Sequence, residues 1–462
     1  MEKSNPSFLK LAYYGDDFTG STDVMESLAL MGIPTVLFME PPTTEAIKNF
    51  GFKNKIFAHQ QPQVVGVAGV SRSFSPEQLR HNLPDIFNKI AAWNADYFHY
   101  KICSTFDSSP QTGSIGLAID IAAKYFESKF IPLLVGMPRL NRFVVFGNLF
   151  ARVNGATYRL DSHPTMSKHP ITPMDESDLL RHLKKQSDRK STLIDVLALD
   201  GNELSLSDTF NKLIQEADGK IIFFDTLNER HFNTIGNLLS NTTTTPTHKN
   251  QLIVGSSAVE HAIFHQTVSE NKQPLLIEPV GKADKMLVMS GSCSPVTAGQ
   301  IQFAKQQGFH TLAIDPLQLL NDCSRNTEEE KIWRTAVELL EKKVPVIIYS
   351  ALGPDDTSVA DVKNISGGQE RLPSLLGNLL GRIVENTHTE RVLAVGGDTS
   401  GKIILQLQIS ALEFLMPVAP GAPMCLSHSA NPAMDNLQII LKGGQNGDET
   451  FFKKAYLGIT QN

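Results

Sequence analysis

Three carboxylates and three hydroxyls are crowded into the nine residues Gly15-Asp16-Asp17-Phe18-Thr19-Gly20-Ser21-Thr22-Asp23. A carboxylate in such a turn can accept a proton from a substrate hydroxyl or ligate a cation. Helix capping alone also favours Asp, Ser and Thr, but a cap needs one such residue and six are present. Asp17, Asp16 and Asp23 are the turn's carboxylates, candidates for a base or a substrate contact, with a plain capping role equally open.

Cations come next along the chain. Ser71-Arg72 offers a guanidinium, which grips a carboxylate or phosphate at two points, although a lone Arg is commonly a surface ion-pair partner. Lys101, in Tyr100-Lys101-Ile102-Cys103-Ser104-Thr105, stands near another strand end and is a second candidate, although such a Lys is usually a plain surface charge.

The later half carries small-residue turns. Val395-Gly396-Gly397-Asp398-Thr399-Ser400-Gly401-Lys402 could let backbone N–H groups approach phosphates closely. It starts like a P-loop, but Ile403 stands where that motif needs Ser or Thr for magnesium, so phosphate binding of another kind is expected. Ser290-Gly291-Ser292-Cys293-Ser294-Pro295 and Leu441-Lys442-Gly443-Gly444-Gln445-Asn446-Gly447 are further turns of this kind. A plain strand-to-helix turn explains any one of them. Three in one half suggest a nucleotide pocket. The histidines form no HExxH pattern, and His163 and His169 fall in a loop-like stretch, so no protein metal site is expected.

The elements that must position these residues alternate between strand and helix. An apolar run from Phe8 to Tyr14 ends at Gly15, a helix is expected over Asp23 to Met31 with Gly32 closing it, and Ile33 to Phe38 reads as the next strand. Further strands are expected at Val64 to Ala68, Ile131 to Val135, Ile221 to Phe224, and Leu252 to Gly255, with a helix from Pro76. The polar tract Asn241 to Pro246 reads as a loop. Past Gln273 to Gly281, alternation restarts with strands at Lys285 to Met289, Thr311 to Ile314, Val344 to Tyr349 and Arg391 to Val395, and a helix over Pro295 to Gln307. The expected fold is α/β, with two domains of mostly parallel sheet, 1–278 and 283–462, and an active-site cleft between them.

Composition bounds the function. A chain of 462 residues exceeds one typical core, and 41% hydrophobic with 19% charged residues is ordinary for a globular protein. A formal net charge of −6 argues against a broad nucleic-acid surface but allows a small anion held by a few focused cations. Four scattered cysteines without CxxC spacing suggest reduced thiols. The opening MEKSNPSFLKLAYYGDD has no apolar signal segment, and no apolar run could span a bilayer, so a cytoplasmic protein is expected.

The ordered set Gly15 to Asp23, Ser71-Arg72, Gly291 to Pro295 and Gly396 to Gly401 resembles the four-carbon acid sugar kinase family, from near Leu11 to Phe452. The resemblance implies an N-terminal domain for an aldonic or oxo-aldonic acid and a C-terminal domain for ATP. The acid would be phosphorylated on its terminal hydroxyl. By position, Asp16, Asp17 and Arg72 match the family's substrate loops, and Ser292, Ser294, Gly396, Gly397, Asp398, Thr399, Gly443 and Gly444 its nucleotide loops.

One segment departs. The family's Lys-x-Asp-Ser-Thr-Leu-Arg-Gly corresponds to the stretch from Lys101 to Gly113, where Cys103 replaces an acid and the Arg is missing. Arg142 is a candidate replacement cation, and the departure suggests a branch acting on a branched or oxo-acid such as 3-oxo-isoapionate. The expected reaction uses ATP and Mg²⁺, with Arg72 and Lys101 on the acid, Asp17 or Asp16 as base, and Mg²⁺ bridging phosphates near Asp398 through water. Expected partners are the small acid sugar and, as self-association, a homodimer; nucleic acid and membrane are not expected. Rival readings are a nucleotide-dependent dehydrogenase, disfavoured because no GxGxxG follows a strand, and a non-catalytic sugar-acid sensor.

Overall fold

A computed structural model describes residues 9–153, 155–169, 171–242, 250–270, 275 and 277–460, with the side chains at 241, 242, 268–270 and 398 outside the description. Phe8, residues 243–246 of the polar tract and residues 273, 274 and 276 of the expected boundary lie outside it. The chain divides into two compact units, Met1–Thr35 with Pro41–Phe50 and Gln61–Leu275, and Val36–Glu40 with Gly51–Gln60 and Leu276–Asn462.

In the first unit the strand order is Val64–Ala68, Leu11–Gly15, Tyr97–Lys101, Gln251–Gly255, Phe130–Leu134, Lys220–Phe224 and Ser191–Ile194, every neighbouring pair parallel. The central strands are buried along their whole length, which is why they read as unbroken apolar runs. Tyr14, Phe87, Phe98, Tyr100 and Phe126 pack ring against ring beside them, with Phe98 stacked on Phe126. A small antiparallel sheet, Arg142–Val145, Asn148–Val153 and Ala156–Arg159, was not legible in the sequence.

Two local expectations need correction. The first helix spans Phe18–Leu30, not Asp23 onward, because Asp17 caps it and accepts the Gly20 N–H at 3.0 Å. Asn241 and Thr242 close the helix Arg230–Thr242 instead of opening a loop.

The second unit has five parallel strands in the order His310–Ala313, Val346–Tyr349, Met286–Ser290, Arg391–Val395 and Gln438–Lys442. Antiparallel strands then extend the sheet: Ala422–Ser429, Ile409–Ala419 and residues 36–38 of the strand Thr35–Phe38. The early segments belong here for a physical reason. The fully buried Glu413 carboxylate accepts the N–H groups of Lys53 and Asn54, at 3.0 Å each, and the Asn54 amide. The core of this unit gathers Met286, Val288, Ile347, Leu393, Ile440 and Phe452.

Candidate functional site

In parallel α/β sheets chemistry collects at the carboxyl ends of strands. In the first unit, three such ends are sewn together by backbone bonds: the Asp16 N–H donates to the Lys101 carbonyl at 2.9 Å, and the Arg72 N–H to the Asp16 carbonyl at 3.0 Å. The side chains then converge. Arg72 donates to Asp16 from Nε at 3.1 Å and from Nη2 at 2.6 Å, and the same Nη2 reaches Asp17 at 2.7 Å. Arg72 was expected to grip the substrate, yet most of its fork is spent on the chain's own carboxylates. Ser71 is fully buried with its hydroxyl 3.3 Å from that of Tyr100, a support beneath the turn.

The two aspartates sit in different fields. Burial pushes the Asp16 carboxyl up, the Arg72 charge opposes this, and the Asp17 charge adds to it, leaving Asp16 at about 6. Burial also pushes Asp17 up, but Arg72, Lys101, the Thr19 hydroxyl at 2.5 Å and the Gly20 N–H together outweigh it and hold Asp17 below the usual range. Lys101 lies 3.9 Å from Asp23, and burial raises the Asp23 carboxyl against the pull of Lys101.

The segment after Lys101 is strained and incompletely satisfied. The buried Phe106 has φ of 58°, the left-handed region that a bulky residue rarely adopts. Burial pushes the Cys103 thiol up to about 11, so the residue at the family's acid position stays a neutral thiol. Burial lowers the pKa of Arg142, and the charge of Asp107 opposes this. Its Nη1 donates to the Leu140 carbonyl at 2.8 Å, but its Nε, and Oδ1 of Asp107, are buried with no hydrogen-bond partner among the described residues. A donor and an acceptor left open in one neighbourhood are what a polar ligand would complete. Asp107 had no signal in the sequence.

In the second unit, three turns meet. Gly396 has φ of 127°, open to glycine alone, and a Cβ there would lie 3.0 Å from Thr399 and 3.5 Å from the Ser292 nitrogen. A Cβ at Gly444 would lie 3.0 Å from the Ser292 hydroxyl, and one at Gly443 2.5 Å from Asn446. Gly397 opens the helix Gly397–Ile404 and is exposed, while Ser294 caps the helix Pro295–Gln306 by accepting from the Val296 N–H at 3.2 Å. Ser292 donates to Thr297, which donates to the Gly444 carbonyl at 3.0 Å. The Asp398 side chain lies outside the described residues. Ile403 is fully buried, so the residue that departs from the P-loop is a core residue. The backbone N–H groups that open the helix Gly397–Ile404 and the surrounding hydroxyls suit a phosphate chain. Thr297 and Lys442, which join these turns, were not singled out from the sequence.

Among the described residues no three His, Cys, Asp or Glu side chains group to hold a metal, and no helix is long and apolar enough to cross a membrane.

A model of a sugar-binding N-terminal domain matches residues 11–263, and one of a nucleotide-binding C-terminal domain matches residues 287–452. The chain is 38% identical over 457 residues to a 3-oxo-isoapionate kinase of Paraburkholderia graminis, covering 97% of this chain and 94% of the relative. It is 27% identical over 455 residues to a 3-oxo-tetronate kinase of Pectobacterium atrosepticum, covering 97% and 98%. A crystal structure of a Salmonella typhimurium LT2 protein superposes with a TM-score of 0.73 at 25% identity, covering 96% of this chain and 98% of that one.

Proposed function

This chain belongs to the four-carbon acid sugar kinase family and is an acid sugar kinase, and we propose that it moves the terminal phosphoryl group of ATP to the terminal hydroxyl of a branched oxo-aldonate. The compound named for the Paraburkholderia graminis relative, 3-oxo-isoapionate, is the first candidate. Membership in a kinase family leaves no place for the dehydrogenase or sensor readings.

The observation that carries the mechanism is the pair of carboxylates sharing Arg72, one of them held at about 6 and the other kept low. Phosphoryl transfer asks a protein chiefly to position groups and balance charge. Asp16 accepts the proton of the attacking hydroxyl, since a base poised near the working pH is ionised yet still attracts a proton. Asp17 stays charged and fixes Arg72 and Lys101. Nη1 of Arg72, Lys101 and Arg142 hold the substrate carboxylate and hydroxyls, with Asp107 accepting from a hydroxyl. The turns at Ser292, Gly396 and Gly443 cradle the nucleotide through N–H groups and hydroxyls. When bound, ATP supplies the phosphoryl group and its Mg²⁺ neutralises charge on the phosphate oxygens.

A coupled ADP-release screen across tetronic, 3-oxo-tetronic and branched oxo-aldonic acids tests this. The highest kcat/KM is expected for 3-oxo-isoapionate. Turnover confined to unbranched tetronates would overturn the substrate assignment, and turnover with no acid, ATP being bound, the whole reading.

A further inference from the structure

Lys442 ends the strand Gln438–Lys442 and is fully buried. Its ammonium donates to the Gly443 carbonyl at 2.9 Å, the Thr297 hydroxyl at 3.3 Å and the Gly444 carbonyl at 3.5 Å, with the Phe451 ring centroid 5.5 Å away. All three acceptors are neutral, and among the described residues it forms no ion pair. A buried cation without an anion is costly, and such groups are usually paired.

Three of the cations on the elements packed round it are engaged with other partners. Lys454 pairs with Asp448 at 2.9 Å and Lys453 bonds Gln307 at 2.8 Å. Arg391, at the far end of the neighbouring strand, bonds the Gln438 side chain and the carbonyls of Gly281, Ala455 and Tyr456. Lys305 lies on the helix Pro295–Gln306, Lys402 and Asp398 on Gly397–Ile404, and Cys425 on Ala422–Ser429. Cys293 is held up by its own burial.

We propose that Lys442 is the positioning residue of the nucleotide turns: its ammonium draws the Gly443 and Gly444 carbonyls inward, aiming the N–H groups of the turn at the nucleotide, whose phosphate is the counter-ion the fold leaves out. The inference rests on the reading of these turns as the ATP site. Burial alone lowers Lys442 to about 7. A triphosphate bound beside it favours the charged form and raises that value. At a pH between the free and bound values, binding therefore takes up a proton, and affinity falls as pH rises through this window.

Calorimetry of ATP binding to the full chain at about pH 8, in buffers of different ionisation enthalpy, reads this directly. Net uptake approaching one proton is expected, with Kd weakening by up to about tenfold per pH unit above 7. Lys442→Arg, a permanent cation, keeps the affinity and loses the uptake. Lys442→Met loses both. ATP binding without net uptake in the native chain, or uptake persisting in Lys442→Met, overturns the proposal; the first result needs no variant to fold. Failure of ATP to bind at any pH would instead overturn the nucleotide-site reading, and the proposal with it.

Discussion

Arg72 closes a two-point fork on Asp16 and shares its Nη2 with Asp17, so one guanidinium serves two carboxylates at 2.6 and 2.7 Å. The sharing divides the labour. Asp17 gathers donors from Thr19 and Gly20 as well and stays ionised, while Asp16, desolvated and repelled by Asp17, is left as the better proton acceptor.

Asp16→Asn should therefore lower kcat by about 10²–10⁴-fold, the usual worth of a positioned general base. In the native enzyme kcat/KM should fall as pH drops through about 6, because Asp16 must be deprotonated to act and protonation removes the base. A pH profile flat from about 5 to 8 would remove Asp16 from this role.

Asp17→Asn should move that acid limb to lower pH. The Asp17 charge is one of the influences holding Asp16 up, and its loss also leaves Arg72 wholly to Asp16. Asn remains a good helix cap, so the fold should persist. An acid limb that stays at about 6 or rises would contradict the coupling.

How much of this could be read beforehand depended on range. The parallel strands announced themselves because strands buried on both faces are continuous apolar runs, as Val64–Ala68 and Arg391–Val395 are. The start of the first helix at Phe18 was hidden, since Thr19 and Gly20 are poor helix formers and the cap bond from Gly20 to Asp17 decides the matter. The transfer of residues 36–40 and 51–60 to the second unit was equally invisible, because it hangs on Glu413, some 360 residues away. Asp16, Asp17 and Arg72 stand out in the sequence as candidates, but their mutual bonding does not. Lys442 looked like any charge at a strand end, and only its burial distinguishes it.

Arg142→Ala should raise KM for the acid sugar by about 10–100-fold, the worth of one or two charge-assisted hydrogen bonds, and leave KM for ATP unchanged. The open Nε of Arg142 and open Oδ1 of Asp107 motivate this. Asp107→Asn should cost less, since the amide keeps an acceptor oxygen. Equal KM values for the acid in the native chain and Arg142→Ala would take Arg142 out of the substrate site.

Gly396→Ala tests the nucleotide cradle. At φ of 127° an alanine is strained by about 1–3 kcal/mol, and its Cβ would sit 3.0 Å from that of Thr399 and 3.5 Å from the Ser292 nitrogen. The turn can relieve this only by moving Thr399 or the Ser292 loop, which displaces the donors meant for phosphate. ATP affinity should fall by about tenfold or more, while binding of the acid sugar, held by residues of the other unit, should survive. An unchanged Kd for ATP would show that this turn does not hold the nucleotide.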